Sequence, residues 1–128
     1  MAQPKRVVAA VTDLFFAIKV NDVLKRFDMD MKMAKSAEDV LEKLKTPTAL
    51  VIVDLNDRGM VAMDVVRALK GDPRWAGIPV LAFSSHVQVE LMNEAKAAGV
   101  EAVVARSVFA ERLPELIAGL ALQGSVND

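Results

Sequence analysis

The stretch Ala49-Leu50-Val51-Ile52-Val53 constrains the fold of this chain more than any other feature of its sequence. Its residues are all apolar, and three of them are β-branched. A strand without a polar face must be covered on both sides, which is typical of a central strand in a parallel sheet. The next residue is Asp54. The sequence therefore predicts a carboxylate at the exit of a buried strand.

Short apolar segments alternate with helical ones about five times along the chain. The predicted strands are Arg6–Thr12, Met29–Ala34, Ala49–Val53, Ile78–Phe83 and Glu101–Ala105. Parallel strands need long crossover connections, and right-handed crossovers place helices on both faces of one twisted sheet. We therefore predict an α/β protein with a (βα)5 doubly wound parallel sheet, flavodoxin-like, with strand order 2-1-3-4-5.

Capping signals delimit the helices between these strands. Ser36 is a predicted N-cap, and Ser85 with Gln88 fits a capping box for the fourth helix. Gly99 is expected to end that helix in a left-handed conformation. The last helix is predicted from near Phe109 to Leu122.

Composition excludes several classes of protein. The chain has 128 residues, 53% of them hydrophobic, and its formal net charge is −1, so it lacks the basic excess of a nucleic-acid-binding domain. It contains 0 cysteines and 1 histidine, which excludes thiolate chemistry and multi-histidine metal clusters within one chain. We expect one domain over 1–128, with a core over 6–122 and a short flexible tail over 123–128. With no apolar run of the ~20 residues that a membrane span needs and no signal peptide, a soluble cytoplasmic protein is expected.

Polar residues follow four of the predicted strands: Asp13, Asp54, Ser84 and Arg106. The carboxyl ends of strands are where ligands gather in open parallel sheets. Two carboxylates, a hydroxyl and a cation together describe a site for a metal ion and a phosphoryl-like group. The alternative is that each residue only caps a helix, and this applies to Asp13 in particular.

Two further stretches are very similar to receiver domains of bacterial two-component response regulators. They are Leu69-Lys70-Gly71-Asp72-Pro73-Arg74-Trp75-Ala76-Gly77-Ile78-Pro79-Val80-Leu81 and Ala95-Lys96-Ala97-Ala98-Gly99-Val100-Glu101-Ala102. The intervals from the first acid to Asp54, Ser84 and Arg106 also suit this family. The chain resembles the single-domain, chemotaxis-regulator type from Arg6 to about Leu122.

The resemblance implies a role for each site residue. Asp54 matches the aspartate that accepts a phosphoryl group from a histidine kinase. Asp13, Asp54 and the backbone carbonyl of Asn56 match the protein ligands of Mg²⁺. Ser84 matches the hydroxyl that hydrogen-bonds the phosphoryl oxygen, and Arg106 stands where the family has a lysine.

Three positions depart from the family pattern. Thr12 replaces the first acid of an acidic pair and is expected to weaken Mg²⁺ binding. Arg106-Ser107 replaces a lysine that is usually followed by proline, and a planar guanidinium differs in shape from a compact ammonium. Val103 stands where receivers often carry an aromatic switch residue, and it is expected to belong to the core.

The function expected from this resemblance is a stand-alone receiver-like signalling protein, not an enzyme. Its partners would be a histidine kinase or phosphotransfer protein and a downstream protein target. A homodimer through helix 4, strand 5 and helix 5 is also possible, whereas nucleic acid and membrane are not expected. The alternative function is a phosphorylation-independent pseudo-receiver that acts as a protein-interaction module.

Two other functional interpretations are disfavoured by the residues. A phosphatase or nucleotide-binding enzyme on the same sheet lacks a glycine-rich phosphate loop. The string from Asp54 to Gly59 is similar to a cobalamin-binding signature, but Asn56 stands where the histidine ligand belongs. His86 is expected to be an exposed residue at a helix start, and Asp57 is expected either to add a polar contact above the site or to pair with Arg58.

Overall fold

The computed structural model describes residues 4–57, 61–85 and 87–122. The strands are β1 Arg6–Ala10, β2 Asp30–Met33, β3 Leu50–Asp54, β4 Val80–Ser84 and β5 Ala102–Ala105. The helices are α1 Leu14–Arg26, α2 Ala37–Lys43, α3 Ala62–Lys70, α4 Val89–Ala97 and α5 Arg106–Ala121. All neighbouring strands pair in parallel, and their order is β2-β1-β3-β4-β5. The predicted (βα)5 fold and strand order are confirmed.

The central strand β3 separates two apolar clusters. Val51 and Val53 pack in one cluster with residues of α2, α3 and α4. Leu50 and Ile52 pack in the other with residues of α1 and α5. Successive side chains of a strand point to opposite faces, so a strand covered by helices on both sides needs an apolar residue at every position. All five residues of β3 are buried, Asp54 among them.

Three phenylalanines stack inside the α1–α5 face. Phe83 on β4 and Phe109 on α5 are fully buried and have ring centroids 4.1 Å apart. Phe16 on α1 packs onto them, with its centroid 5.2 Å from that of Phe83. These rings lie directly beneath the end of the sheet at which the predicted site residues are located.

Strand and helix ends differ from the sequence prediction at two places in the site. β1 ends at Ala10, so Thr12 and Asp13 lie in the loop before α1. The helical residues of α5 begin at Arg106 and not near Phe109, with Ala105 as N-cap in extended conformation, and the helix is kinked at Arg112, whose backbone angles are non-helical. The apolar face of this helix begins only at Phe109, which is why the hydrophobic pattern places its start too late. Arg106 therefore occupies the first turn of a helix.

The predicted capping box of the fourth helix is wrong. α4 begins at Val89 after Gln88, which makes no side-chain capping hydrogen bond. The Gln88 amide donates to the carbonyl of Ser85, which makes the preceding segment a turn. Ser36 does cap α2 by accepting from the Asp39 amide, and Gly99 has the expected positive φ of 103°.

The helices are too short or too polar to cross a bilayer. Within residues 4–57, 61–85 and 87–122, no helix could span a membrane.

The phenylalanine stack provides the first prediction, because the chain also carries an exposed phenylalanine for comparison. Phe109→Ala should lower the free energy of unfolding by about 3–5 kcal/mol, since it removes a fully buried ring and leaves a cavity. Phe15 is 86% exposed, and Phe15→Ala should change the free energy of unfolding by less than ~0.5 kcal/mol. Urea unfolding followed by Trp75 fluorescence measures both, and equal losses would contradict the assigned core.

Candidate phosphoryl-acceptor site

The predicted site residues gather at the carboxyl end of the sheet, around a cleft of about 280 Å³. Its walls come from the β1–α1 loop, the end of β3 with the loop that follows it, and the start of α5. The lining residues are Thr12, Asp13, Asp54, Asn56, Asp57 and Arg106. Four of the five predicted site residues therefore line one cleft. Ser84 is fully buried beside it.

Asp54 is the most buried acid of the site. It is the last residue of β3, lies opposite Phe83 in the sheet and is only 3% exposed. One carboxylate oxygen, Oδ1, accepts a hydrogen bond of 2.9 Å from the Asn56 amide. The other, Oδ2, lies 3.5 Å from Nη2 of Arg106. The carboxylate is thus fixed on one side by the backbone and contacts a cation on the other.

Burial raises the pKa of Asp54 above its usual value, because desolvation disfavours the charged form. The Asn56 amide and the Arg106 charge both lower this pKa and partly oppose that effect, whereas the nearby Asp57 and Asp13 carboxylates raise it further. The site therefore holds more negative charge than its own groups compensate. An additional cation would relieve this repulsion.

Arg106 contacts Asp54 at 3.5 Å, which is longer than an ordinary N–H···O hydrogen bond of roughly 2.7–3.2 Å. A bidentate arginine–carboxylate pair has two bonds of roughly 2.7–2.9 Å, whereas Arg106 makes one contact of 3.5 Å. Its side chain is 41% exposed, and its guanidinium carbon lies 4.6 Å from the ring centre of Phe16. Arg106 reaches Asp54 but does not close over it.

Asp13 both caps a helix and lines the cleft. It is the N-cap of α1, and its Oδ1 accepts a hydrogen bond of 2.9 Å from the Phe15 amide. The capping role considered from the sequence is thus present. The same residue faces the cleft together with Asp54.

Asp57 joins the site through Thr12, across 45 residues of sequence. Its Oδ2 accepts from the Thr12 amide at 2.7 Å and from the Thr12 hydroxyl at 2.9 Å. This carboxylate therefore lies next to the position at which the family pattern has an acid and this chain has a threonine. Of the two sequence interpretations of Asp57, a polar contact above the site agrees with these hydrogen bonds to Thr12. The other was a pair with Arg58, which lies outside the described residues.

The side chain of Asn56 ties two loops together. Its Oδ1 accepts from the Ser85 amide at 2.7 Å and from the Ser84 hydroxyl at 3.2 Å. The Ser84 hydroxyl also lies within hydrogen-bond distance, 3.3 Å, of the Ser85 carbonyl. Sequence reasoning assigned only the backbone carbonyl of Asn56 and missed this side-chain role. The available signal for this role was the side-chain amide of Asn56, two residues after Asp54.

The oxygen donors suit a hard cation. Mg²⁺ prefers oxygen ligands, keeps several waters and is bound by one or two carboxylates. Asp13 and Asp54 supply two carboxylates, and Asn56, whose backbone carbonyl is the third ligand that the resemblance implies, lines the same cleft. Among the residues that the structure describes, no three acidic or histidine side chains are grouped so as to hold a metal ion by themselves. The donor set therefore fits a metal completed by backbone and water, as the resemblance implies.

Two other sequence expectations concern residues near the site. Val103 on β5 is partly buried and packs against the α2–α4 cluster, in line with the expected core role. His86 and Gly59 lie outside the described residues.

Comparison with solved structures shows which proteins share this fold. The receiver domain of NtrX from Brucella abortus matches with a TM-score of 0.77 and 21% identity, over 92% of this chain and 98% of that one. A longer structure of NtrX from Brucella abortus matches 97% of this chain with a TM-score of 0.79 and 20% identity, and this chain spans 28% of its length. The phosphorylated cyanobacterial phytochrome response regulator RcpA matches with a TM-score of 0.78 and 15% identity, over 94% of this chain and 96% of that one.

These matches show that the chain has the fold of response-regulator receiver domains. No protein-family model and no curated protein sequence matches it. The likeness therefore lies in the fold, while the chemistry depends on the residues of the cleft.

The raised pKa of Asp54 predicts how its removal changes stability with pH. A carboxyl group whose pKa is higher in the folded state destabilises that state wherever it is ionised. Asp54→Asn should therefore raise the free energy of unfolding at neutral pH. The gain should shrink as the pH falls through the raised pKa and vanish below the unperturbed value of 3.8. Urea unfolding at neutral pH and below pH 3.8 measures this difference.

A matched control removes a charge from an exposed aspartate. Asp64 on α3 has a side chain that is 62% exposed, and Asp64→Asn should change the free energy of unfolding by less than ~0.5 kcal/mol at both pH values. An Asp54→Asn variant that is less stable than the parent protein at neutral pH would contradict the assigned electrostatics.

Proposed function

We propose that this chain is a receiver-like signalling protein of a two-component phosphorelay, with one receiver domain over 6–122. It accepts a phosphoryl group on Asp54 in the presence of Mg²⁺ and signals by docking on another protein. The observation that carries the proposal is the position of Asp54. It is a buried carboxylate at the exit of the central strand, with a cation on one side and a second acid in the same cleft.

The chemistry follows from the groups around Asp54. One carboxylate oxygen attacks the phosphorus of a phosphohistidine, the phosphorus–nitrogen bond breaks, and the electron pair stays on the histidine nitrogen. The Asn56 amide holds the other carboxylate oxygen in place. Mg²⁺, held by Asp13, Asp54 and the Asn56 carbonyl, would supply positive charge to the transferring phosphoryl oxygens.

Arg106 and Ser84 would complete the binding of the phosphoryl group. Arg106 provides charged donors at the start of α5, and its partial exposure leaves it able to contact a group attached to Asp54. The Ser84 hydroxyl lies at the end of β4 and is bonded to the Asn56 side chain. A change at Asp54 would therefore reach the β4–α4 turn through Asn56.

The partners proposed for this site are a histidine kinase or phosphotransfer protein and a downstream protein target, with the bacterial cytoplasm as the compartment. The output surface would be α4, β5 and α5, which could also form a homodimer. Exposed valines in the first turns of α4 and α5 support this surface: Val89 and Val108 are 58% and 37% exposed.

A pseudo-receiver that never takes phosphate is the second candidate, and two observations favour it. Arg106 already offers Asp54 a positive partner in the absence of phosphate. Thr12 supplies no charge where the family has an acid, and its hydroxyl is bonded to Asp57. Under this function the same α4-β5-α5 surface would bind a partner constitutively.

Mass spectrometry of the intact protein with acetyl phosphate and Mg²⁺ tests the first function. The wild-type protein should gain one phosphoryl mass, and Asp54→Asn should gain none. Omitting Mg²⁺ should abolish the gain in the wild type, because the phosphoryl charge is then not compensated.

The matched control is Asp64→Asn, which removes an exposed carboxylate that does not line the cleft and should be phosphorylated like the wild type. A wild-type protein that remains folded and gains no mass would favour the pseudo-receiver. A gain that persists in Asp54→Asn would assign the modification to another residue.

A further inference from the structure

The guanidinium of Arg106 lies on an aromatic surface. Its central carbon is 4.6 Å from the ring centre of Phe16 and 5.6 Å from that of Phe83. Both distances lie within the ~6 Å over which a cation is attracted to the face of an aromatic ring. Arg106 thus has two kinds of partner, the two rings and the Asp54 carboxylate.

This aromatic surface is anchored in the core. Phe16 packs against Phe83 and Phe109, with ring centroids 5.2 Å and 6.1 Å away. Phe83 and Phe109 are themselves fully buried and stacked. The position of the Phe16 ring is therefore determined by packing between α1, β4 and α5.

Stacking on a ring does not by itself prevent an arginine from closing on a carboxylate. Arg74 lies 4.2 Å from the ring centre of Trp75, yet its Nε and Nη2 contact Asp72 at distances of 2.7–3.2 Å. Arg106, by contrast, makes a single contact of 3.5 Å with Asp54. The two cases differ in how the partners are held: Asp72, Arg74 and Trp75 lie within four residues of one another, whereas Phe16, Asp54 and Arg106 belong to α1, β3 and α5.

We propose that Phe16 is a positioning residue for Arg106, an inference that rests on the proposed function. The ring holds the guanidinium within reach of the cleft and away from a bidentate pair with Asp54. Without this ring, Arg106 would be drawn onto the buried carboxylate, because a close charged pair is the strongest contact available to both groups. The nucleophile would then be covered by the cation that is needed for the incoming phosphoryl group.

The test compares Phe16→Leu with Phe16→Tyr. Leucine keeps an apolar side chain but has no aromatic face, whereas tyrosine keeps the ring. Phosphorylation by acetyl phosphate and Mg²⁺ should be about 3- to 10-fold slower in Phe16→Leu and within about 2-fold of the wild-type rate in Phe16→Tyr. Equal rates in the wild type and Phe16→Leu would overturn the proposal.

A second pair of variants separates positioning from a general effect on packing. If Phe16 acts through Arg106, Phe16→Leu should cause no further slowing when it is added to Arg106→Gln. If Phe16→Leu lowers the phosphorylation rate of the Arg106→Gln protein by the same factor as that of the wild type, the ring acts only through the core and the proposal fails.

Nuclear magnetic resonance of the Arg106 side chain provides a readout that needs no phosphorylation. The Nε–Hε signal, identified by its loss in Arg106→Gln, should be shifted by the Phe16 ring in the wild type and in Phe16→Tyr. In Phe16→Leu it should move towards the position of an unstacked arginine. An unchanged signal in Phe16→Leu would overturn the positioning role. A wild-type protein that takes no phosphoryl group but shows this shift would overturn only the proposed function.

Discussion

The buried carboxyl of Asp54 is the constraint on which the arrangement of the site depends. The first four residues of β3 are all apolar, because helices cover both faces of this strand. Its last residue is nevertheless an acid. Desolvation of this group disfavours its charge, so the surrounding groups must compensate. They do so with one amide hydrogen bond and one distant arginine. A fold that only needed a stable sheet would place an apolar residue here.

The charged side chains of the site differ in position or type from those of the receiver family. The acid that the family has at position 12 is absent, and the Asp57 carboxylate lies beside that position, bonded to the Thr12 amide and hydroxyl. Likewise, an arginine replaces the lysine, and a planar guanidinium can lie on Phe16 in a way that a compact ammonium would not reproduce. Both replacements keep the sign of the local charge, the first by supplying the carboxylate from another loop and the second by changing the shape of the cation.

The fold and the acids of the site were predictable because they depend on local patterns. Apolar runs of strand length predicted the strands, the strand order followed from a flavodoxin-like topology, and the polar strand ends predicted that Asp13, Asp54 and Arg106 would meet. Contacts between distant residues were not predictable in this way. Nothing local in the sequence connects Thr12 with Asp57, or Phe16 with Arg106, because the first pair is brought together by the pairing of β1 with β3 and the second by the packing of α1 against α5. The capping box at Ser85 failed for the same reason: the Ser85 amide is used by Asn56, from another loop.

Similarity of fold does not decide whether the site carries out phosphotransfer. Receiver domains with 15–21% identity to this chain share its sheet and helices, so this fold tolerates extensive differences in sequence. What distinguishes an active receiver from an interaction module here is the distance between Arg106 and Asp54. A tight pair would neutralise the nucleophile, whereas Arg106 makes a single contact of 3.5 Å with the Asp54 carboxylate, which lines the cleft. The aromatic packing of α1 against β4 and α5 determines that distance, so a core contact governs the chemistry of the surface.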